Sequence, residues 1–176
     1  MGKLILGLII GLALVPLAVY VYFATGMAPV ATNAQAMPFE KMMAAKALHA
    51  RVDKEMPKTP PPVPANDATY AAGAQVYVNH CAVCHGLPGR PTPPFAKGEY
   101  PVPPQLFKGH GVTDDPPGET YWKMANGIRL TGMPAFSESL SDTQMWQVSV
   151  MLANADKLPD PIKQSLQNAN PTGMTP

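Results

Sequence analysis

From Leu4 to Ala24 the chain reads LILGLIIGLALVPLAVYVYFA, 21 residues without a charge. Wound as a helix at about 1.5 Å per residue, that run reaches roughly 31 Å, the thickness of a hydrocarbon core. The pattern predicts a membrane-spanning anchor within residues 1–26. Pro16 fits that reading, because spans tolerate a kink. A cleaved secretory leader competes with it, since Ala34-Gln35-Ala36 has the small-residue spacing of a cleavage site. Leader cores hold about 7–15 apolar residues and this run is longer, which favours an uncleaved anchor. Lys3 and the terminal amine precede the span. The positive-inside tendency then keeps the N-terminus in the cytoplasm and puts the rest of the chain on the periplasmic side of a bacterial inner membrane.

A second periodicity follows in residues 38–56, PFEKMMAAKALHARVDKEM. Met42, Ala45, Leu48, Val52 and Met56 recur at steps of three and four and form one apolar stripe of a helix, bounded by 37–57. Pro38 suits a first turn, and Glu40 suits the positive end of the helix dipole. Such a helix rests on a membrane surface or on its own domain, or docks a partner subunit. PKTPPPVPAN comes next, with five prolines in ten residues. It predicts a semi-rigid polyproline spacer over 58–66 that holds the following domain off the membrane.

Residues 67–160 predict three helices. Asp67 caps the first, which carries Tyr70, Ala71, Ala74, Val76, Tyr77 and Val78. The second runs from Glu119 to Asn126 and stops at Gly127. Ser141-Asp142-Thr143-Gln144 is a capping box for the third, which runs to about Ala155 with Met145, Val148 and Leu152 on one face. Trp146 is expected to press that helix against the first, near Gly73 and Tyr77. Nine prolines and five glycines between residues 88 and 118 read as loop, and no strand pattern occurs. Residues 161–176 read as a C-terminal tail. The expected class is all-α. Three short helices and long loops leave a thin core, which calls for something bound inside it.

Composition changes the picture in two places. The 176 residues carry 13 basic and 12 acidic side chains, a formal +1, too little positive charge for a nucleic-acid binder. Between 67 and 160 the balance is six basic to nine acidic, so no ring of lysines steers this domain toward acidic partners by diffusion. The two cysteines, Cys81 and Cys84, are three positions apart. A bridge between them would close a tiny loop and contribute little stability.

Cys81-Ala82-Val83-Cys84-His85 has the C-x-x-C-H form of c-type haem attachment. At a helix end, thiols three apart lie side by side and reach two vinyl groups of one porphyrin, with the histidine beneath the iron. Gly86 lets the chain turn away. A thioredoxin-like pair would sit near a βαβ pattern, and a zinc site needs a second pair of ligands; neither is present.

Residues 68–157 resemble the class I c-type cytochromes. The likeness rests on AAGAQVYVNHCAVCHG, on PPQL and on NGIRLTGMPAF. It implies three short helices and proline-rich loops around one haem c, covalent through Cys81 and Cys84, with His85 as proximal iron ligand. It also implies Met133, in Gly-Met-Pro, as the sixth ligand and a proline carbonyl bracing the histidine. That carbonyl maps onto Pro104, with Pro103 as the alternative. Tyr121 and Trp122 match the aromatic pair that walls the haem in that family. The other methionines lie on helices or beyond the spacer and read as packing. His110 is the rival sixth ligand, while His80 and His49 read as surface residues. Family members of this build serve as subunits or tethered carriers for quinol-oxidising complexes (alternative complex III among them), terminal oxidases, photosynthetic reaction centres and periplasmic dehydrogenases. The expected role is single-electron transfer without catalysis. The alternative is a haem enzyme or gas sensor with an open sixth position.

Overall fold

The computed structural model describes residues 1–108 and 112–171, so His110 lies outside the described residues. Among them every regular element is a helix. Two compact bodies divide the chain, Met1–Met43 and Ala44–Pro176.

In the first body, α1 (Gly2–Ala24) buries none of its residues and is long and apolar enough to cross a membrane. It is a candidate membrane span. Helix α2 (Glu40–Glu55) starts where the Glu40 carboxylate accepts the Met37 N–H at 2.8 Å, which satisfies an orphan donor at the helix start.

The second body takes in α2 from Ala44 onward. Val52 is 1% exposed, while Met42 and Met43 at the other end stand 57% and 60% exposed. Beyond the helix, the Pro57 carbonyl lies so close to Gly118 that a Cβ there would collide with it. Burial raises the Asp115 carboxyl above its ordinary range and Glu119 adds to this, while the charge of His49 on α2 pulls it down. The start of the proline-rich stretch is thus folded onto the globular body, and α2 is not held away from it as a free spacer would do.

Three helices form the frame: α3 (Asp67–His80), α6 (Pro117–Asn126) and α7 (Asp142–Ala153). The cap of α3 is Asn66, whose side chain accepts the Thr69 N–H at 2.9 Å; Asp67, the expected cap, is the first helical residue. Ser141 and Gln144 make the capping box of α7, and Gly127 ends α6 at a φ of 66°. Helix α7 crosses α3 at Gly73, where a Cβ would strike the Gln147 carbonyl and lie 3.0 Å from the Met151 Cβ. Overpacking of this kind costs about 1–3 kcal/mol. Gly73→Ala should therefore lower the free energy of unfolding by that amount, read as a lower denaturant midpoint at constant slope.

Trp146 is buried on α7 next to Gln147, whose carbonyl meets Gly73 of α3. Trp146 stacks on Tyr121 of α6 with ring centroids 4.3 Å apart, and the Tyr121 hydroxyl donates to Asp142 at 2.9 Å. The stretch expected as a tail holds one more helix, α8 (Asp160–Asn168), which buries Ile162 and Leu166 in the same core as Tyr77, Val148 and Leu152. Arg90 donates to the Gln167 carbonyl at 2.7 Å and ties the loop after His85 to this helix. Two single-turn helices complete the set, α4 (Ala82–His85) and α5 (Pro94–Lys97).

Candidate functional site

The two cysteines lie at the joint of α3 and α4. Cys81 closes α3, its N–H donating to Tyr77 O at 2.8 Å, and its own carbonyl accepts the N–H groups of Cys84 and His85 at 3.1 and 2.9 Å. One more helical turn thus sets the thiols on adjacent positions. Both are free, Cys81 buried and Cys84 partly exposed. Gly86 then takes a φ of 71°, a conformation other residues adopt at a cost, and the chain leaves the turn. The buried Tyr77 hydroxyl donates to the Gly86 carbonyl at 2.8 Å and pins the turn from below.

The proline-rich loop is fastened over this turn. His85 Nδ1 lies 2.8 Å from the Pro104 carbonyl. A carbonyl only accepts, so Nδ1 carries the proton and the lone pair sits on Nε2, the atom a metal would use. The contact belongs to Pro104; the Pro103 carbonyl accepts from Gln105 at 3.3 Å instead. Gln105 also donates to the Cys84 carbonyl at 3.2 Å, and Phe107 meets Tyr77 edge to face at 5.2 Å. Burial holds the His85 imidazole below its usual pKa, against the opposite pull of the Pro104 carbonyl and of Glu99. A neutral ring is the form that ligates metal.

Residues 127–136 form a tight loop after α6. Ile128 N–H donates to Met133 O at 3.1 Å, and the Thr131 hydroxyl donates to Ile128 O and accepts the Met133 N–H at 2.7 and 3.1 Å. Phe136 N–H reaches back to Met124 O at 2.8 Å. Gly127 faces the backbone of Met133, Pro134 and Ala135 at 2.7–2.9 Å from where a Cβ would stand, so only glycine closes the loop without a shift. Within it Leu130 is 92% exposed, whereas Met133 packs on the hydrophobic core.

Residues 68–150 match the model of a family described as cytochrome C oxidase, cbb3-type, subunit III. The match covers 83 of the 176 residues and is consistent with a class I c-type cytochrome domain over that segment. Comparisons with curated proteins and with solved structures give no match. The matched segment takes in the thiols, His85, Pro104 and Met133, and it ends before α8.

The cytochrome c family implies covalently bound haem c, and the residues present fit the group. The thiols are adjacent and unbridged, the imidazole has its Nε2 lone pair available, and Leu106, Phe107 and Phe136 are partly buried against the same core as Cys81. Burial, and then Cys84, raise the Cys81 thiol to about 12; burial, and then Glu99, raise Cys84 to about 11. Both therefore stay protonated at neutral pH and resist oxidation to a disulfide. In the haem-free chain, alkylation of Cys84 should climb about tenfold per pH unit and level off only near pH 11, measured by mass spectrometry after timed quenching.

Trp122 is half-exposed and is not among the side chains packed on the main core, while Tyr121 is committed to Trp146 and Asp142. His80 is exposed and meets Phe136 edge to face at 6.3 Å. Glu99 carried no signal in the sequence. Its Oε1 accepts a hydrogen bond from Cys84 Sγ at 3.3 Å, and its Oε2 is buried without a partner. Only its place on a loop folded over the cysteines reveals it.

Proposed function

We propose that the chain is a membrane-tethered, single-haem electron carrier or complex subunit whose iron is held between His85 Nε2 and Met133 Sδ. One haem c joins Cys81 and Cys84 through thioethers. When bound it supplies a one-electron Fe(III)/Fe(II) couple. The chain's own residues do the rest. Pro104 fixes the tautomer and direction of His85, as outer partners of metal-bound histidines do. The tight 127–136 loop presents a soft thioether that favours the ferrous state and raises the reduction potential. With His85 and Met133 both holding the iron, no position would be left for oxygen or peroxide, and one-electron transfer is the chemistry the group would supply.

The observation that carries this reading is the His85–Pro104 hydrogen bond beside two unbridged thiols. Helix α1 supports attachment to a membrane, with the cytochrome domain on the periplasmic side, where its partner is a redox protein or the neighbouring subunit of a respiratory or photosynthetic complex. The absorption spectrum of the reduced protein, with and without carbon monoxide, tests the proposal. Low-spin haem c bands unaltered by the gas are expected. Rapid carbon monoxide binding would instead indicate a haem enzyme or gas sensor with an open sixth position.

A further inference from the structure

A carboxylate stands among the groups proposed to hold the haem. In the thiol form Glu99 accepts from Cys84 Sγ at 3.3 Å through Oε1; a thioether sulfur has no proton to give, so what the haem-loaded chain keeps is the proximity of the carboxylate. Its other oxygen, Oε2, lies against Gly132, where an added Cβ would collide with it, and Gly132 is the neighbour of Met133. Its charge is also felt at His85. One side chain therefore reaches the attachment cysteine, influences the proximal histidine and touches the loop of the sixth ligand. Oε2 has no hydrogen-bond partner although it is shielded from water. A buried, unsatisfied carboxylate oxygen costs free energy, and natural structures keep such groups where function uses them. The loop is fixed locally, the Glu99 N–H donating to Ala96 O at 3.3 Å, so the side chain stays within reach of this region.

We propose that Glu99 is a positioning and tuning residue for the haem, setting the electrostatic field at the iron from the Cys84 and Met133 side. The inference rests on the function proposed above. Fe(III) takes up one electron to become Fe(II), and no proton needs to move at Glu99. A fixed negative charge near the iron stabilises the ferric state, which carries the extra positive charge, and thereby lowers the reduction potential. Partial burial keeps that effect from being fully screened. The carboxylate thus works against the thioether of Met133, and the potential settles between the two influences.

The test compares haem-loaded wild type, Glu99→Gln, Glu99→Ala and the charge-preserving Glu99→Asp in redox titrations followed by absorbance. Both neutral variants should show a Fe(II):Fe(III) ratio raised several-fold to about tenfold at a fixed ambient potential, tenfold being about 59 mV for one electron. Their low-spin bands should be unchanged, and Glu99→Asp should return most of the way to wild type. A purely structural role would alter the bands or the thermal midpoint and leave the ratio unmoved. Unshifted titrations with intact bands would overturn the inference alone. Absence of low-spin bands from wild type would overturn the underlying function with it. If neither neutral variant loads haem while Glu99→Asp does, the inference is also overturned, since Glu99 would then serve attachment and not tuning.

Discussion

Met133→Ala should turn a cytochrome inert to carbon monoxide into one that binds it rapidly when reduced. The 127–136 loop is closed by its own backbone, through Ile128 to Met133, Thr131 to both and Phe136 to Met124. Truncating one side chain leaves those bonds in place. What disappears is the thioether, and with it the proposed sixth ligand. Carbon monoxide should then shift the Soret band within the mixing time, while wild type stays unchanged. The reduction potential should fall by about 0.2 V, a modest share of the roughly 0.8 V that axial ligands span. Because Met133 also packs on the core, some loss of stability will accompany the change. Met133→Leu separates the two effects, since it restores the packing and not the sulfur.

Replacing both cysteines, Cys81→Ser with Cys84→Ser, should have the largest effect on folding. The core of the described residues draws on short helices, and α3 must support the turn that carries the thiols. A cofactor held at about 1,000 times its dissociation constant contributes roughly 4 kcal/mol. That compares with a total stability of about 5–15 kcal/mol for an ordinary domain. Serine keeps the shape of the site and removes only the bonds. The variant should lose all haem on a denaturing gel stained for haem, and its cooperative thermal transition should move down by many degrees or vanish.

What the sequence made legible is what local physics decides. C-x-x-C-H declares its chemistry because one helical turn sets the spacing of the thiols, and that turn is present at Cys81 to His85. The capping box at Ser141 and the stop at Gly127 are likewise local, and both stand where the pattern put them. Asn66 displaced Asp67 as a cap because either side chain can accept from the first turn, and only the backbone entry angle chooses between them.

The rest depends on contacts between distant parts of the chain. Helix α8 buries only Ile162 and Leu166, a single pair four apart, too little to stand out from a polar tail. Trp146 went to Tyr121 because α6 and α7 present facing rings, a register no periodicity states. The docking of Val52 and Pro57 on the globular body was hidden by a proline run that reads as extended in isolation. Glu99 was hidden for the same reason. A lone carboxylate in a loop acquires meaning only when the fold carries it to Cys84 and Gly132.

The central claim is that Cys81 and Cys84 fasten a single haem whose iron His85 holds. The most direct measurement is the intact mass of the full-length protein after denaturation and acid extraction, made on material from cells that attach haem c. The account predicts the mass of the chain plus one haem, with neither Cys81 nor Cys84 open to alkylation. A mass equal to the bare polypeptide, with two reactive thiols or a disulfide between them, would contradict it.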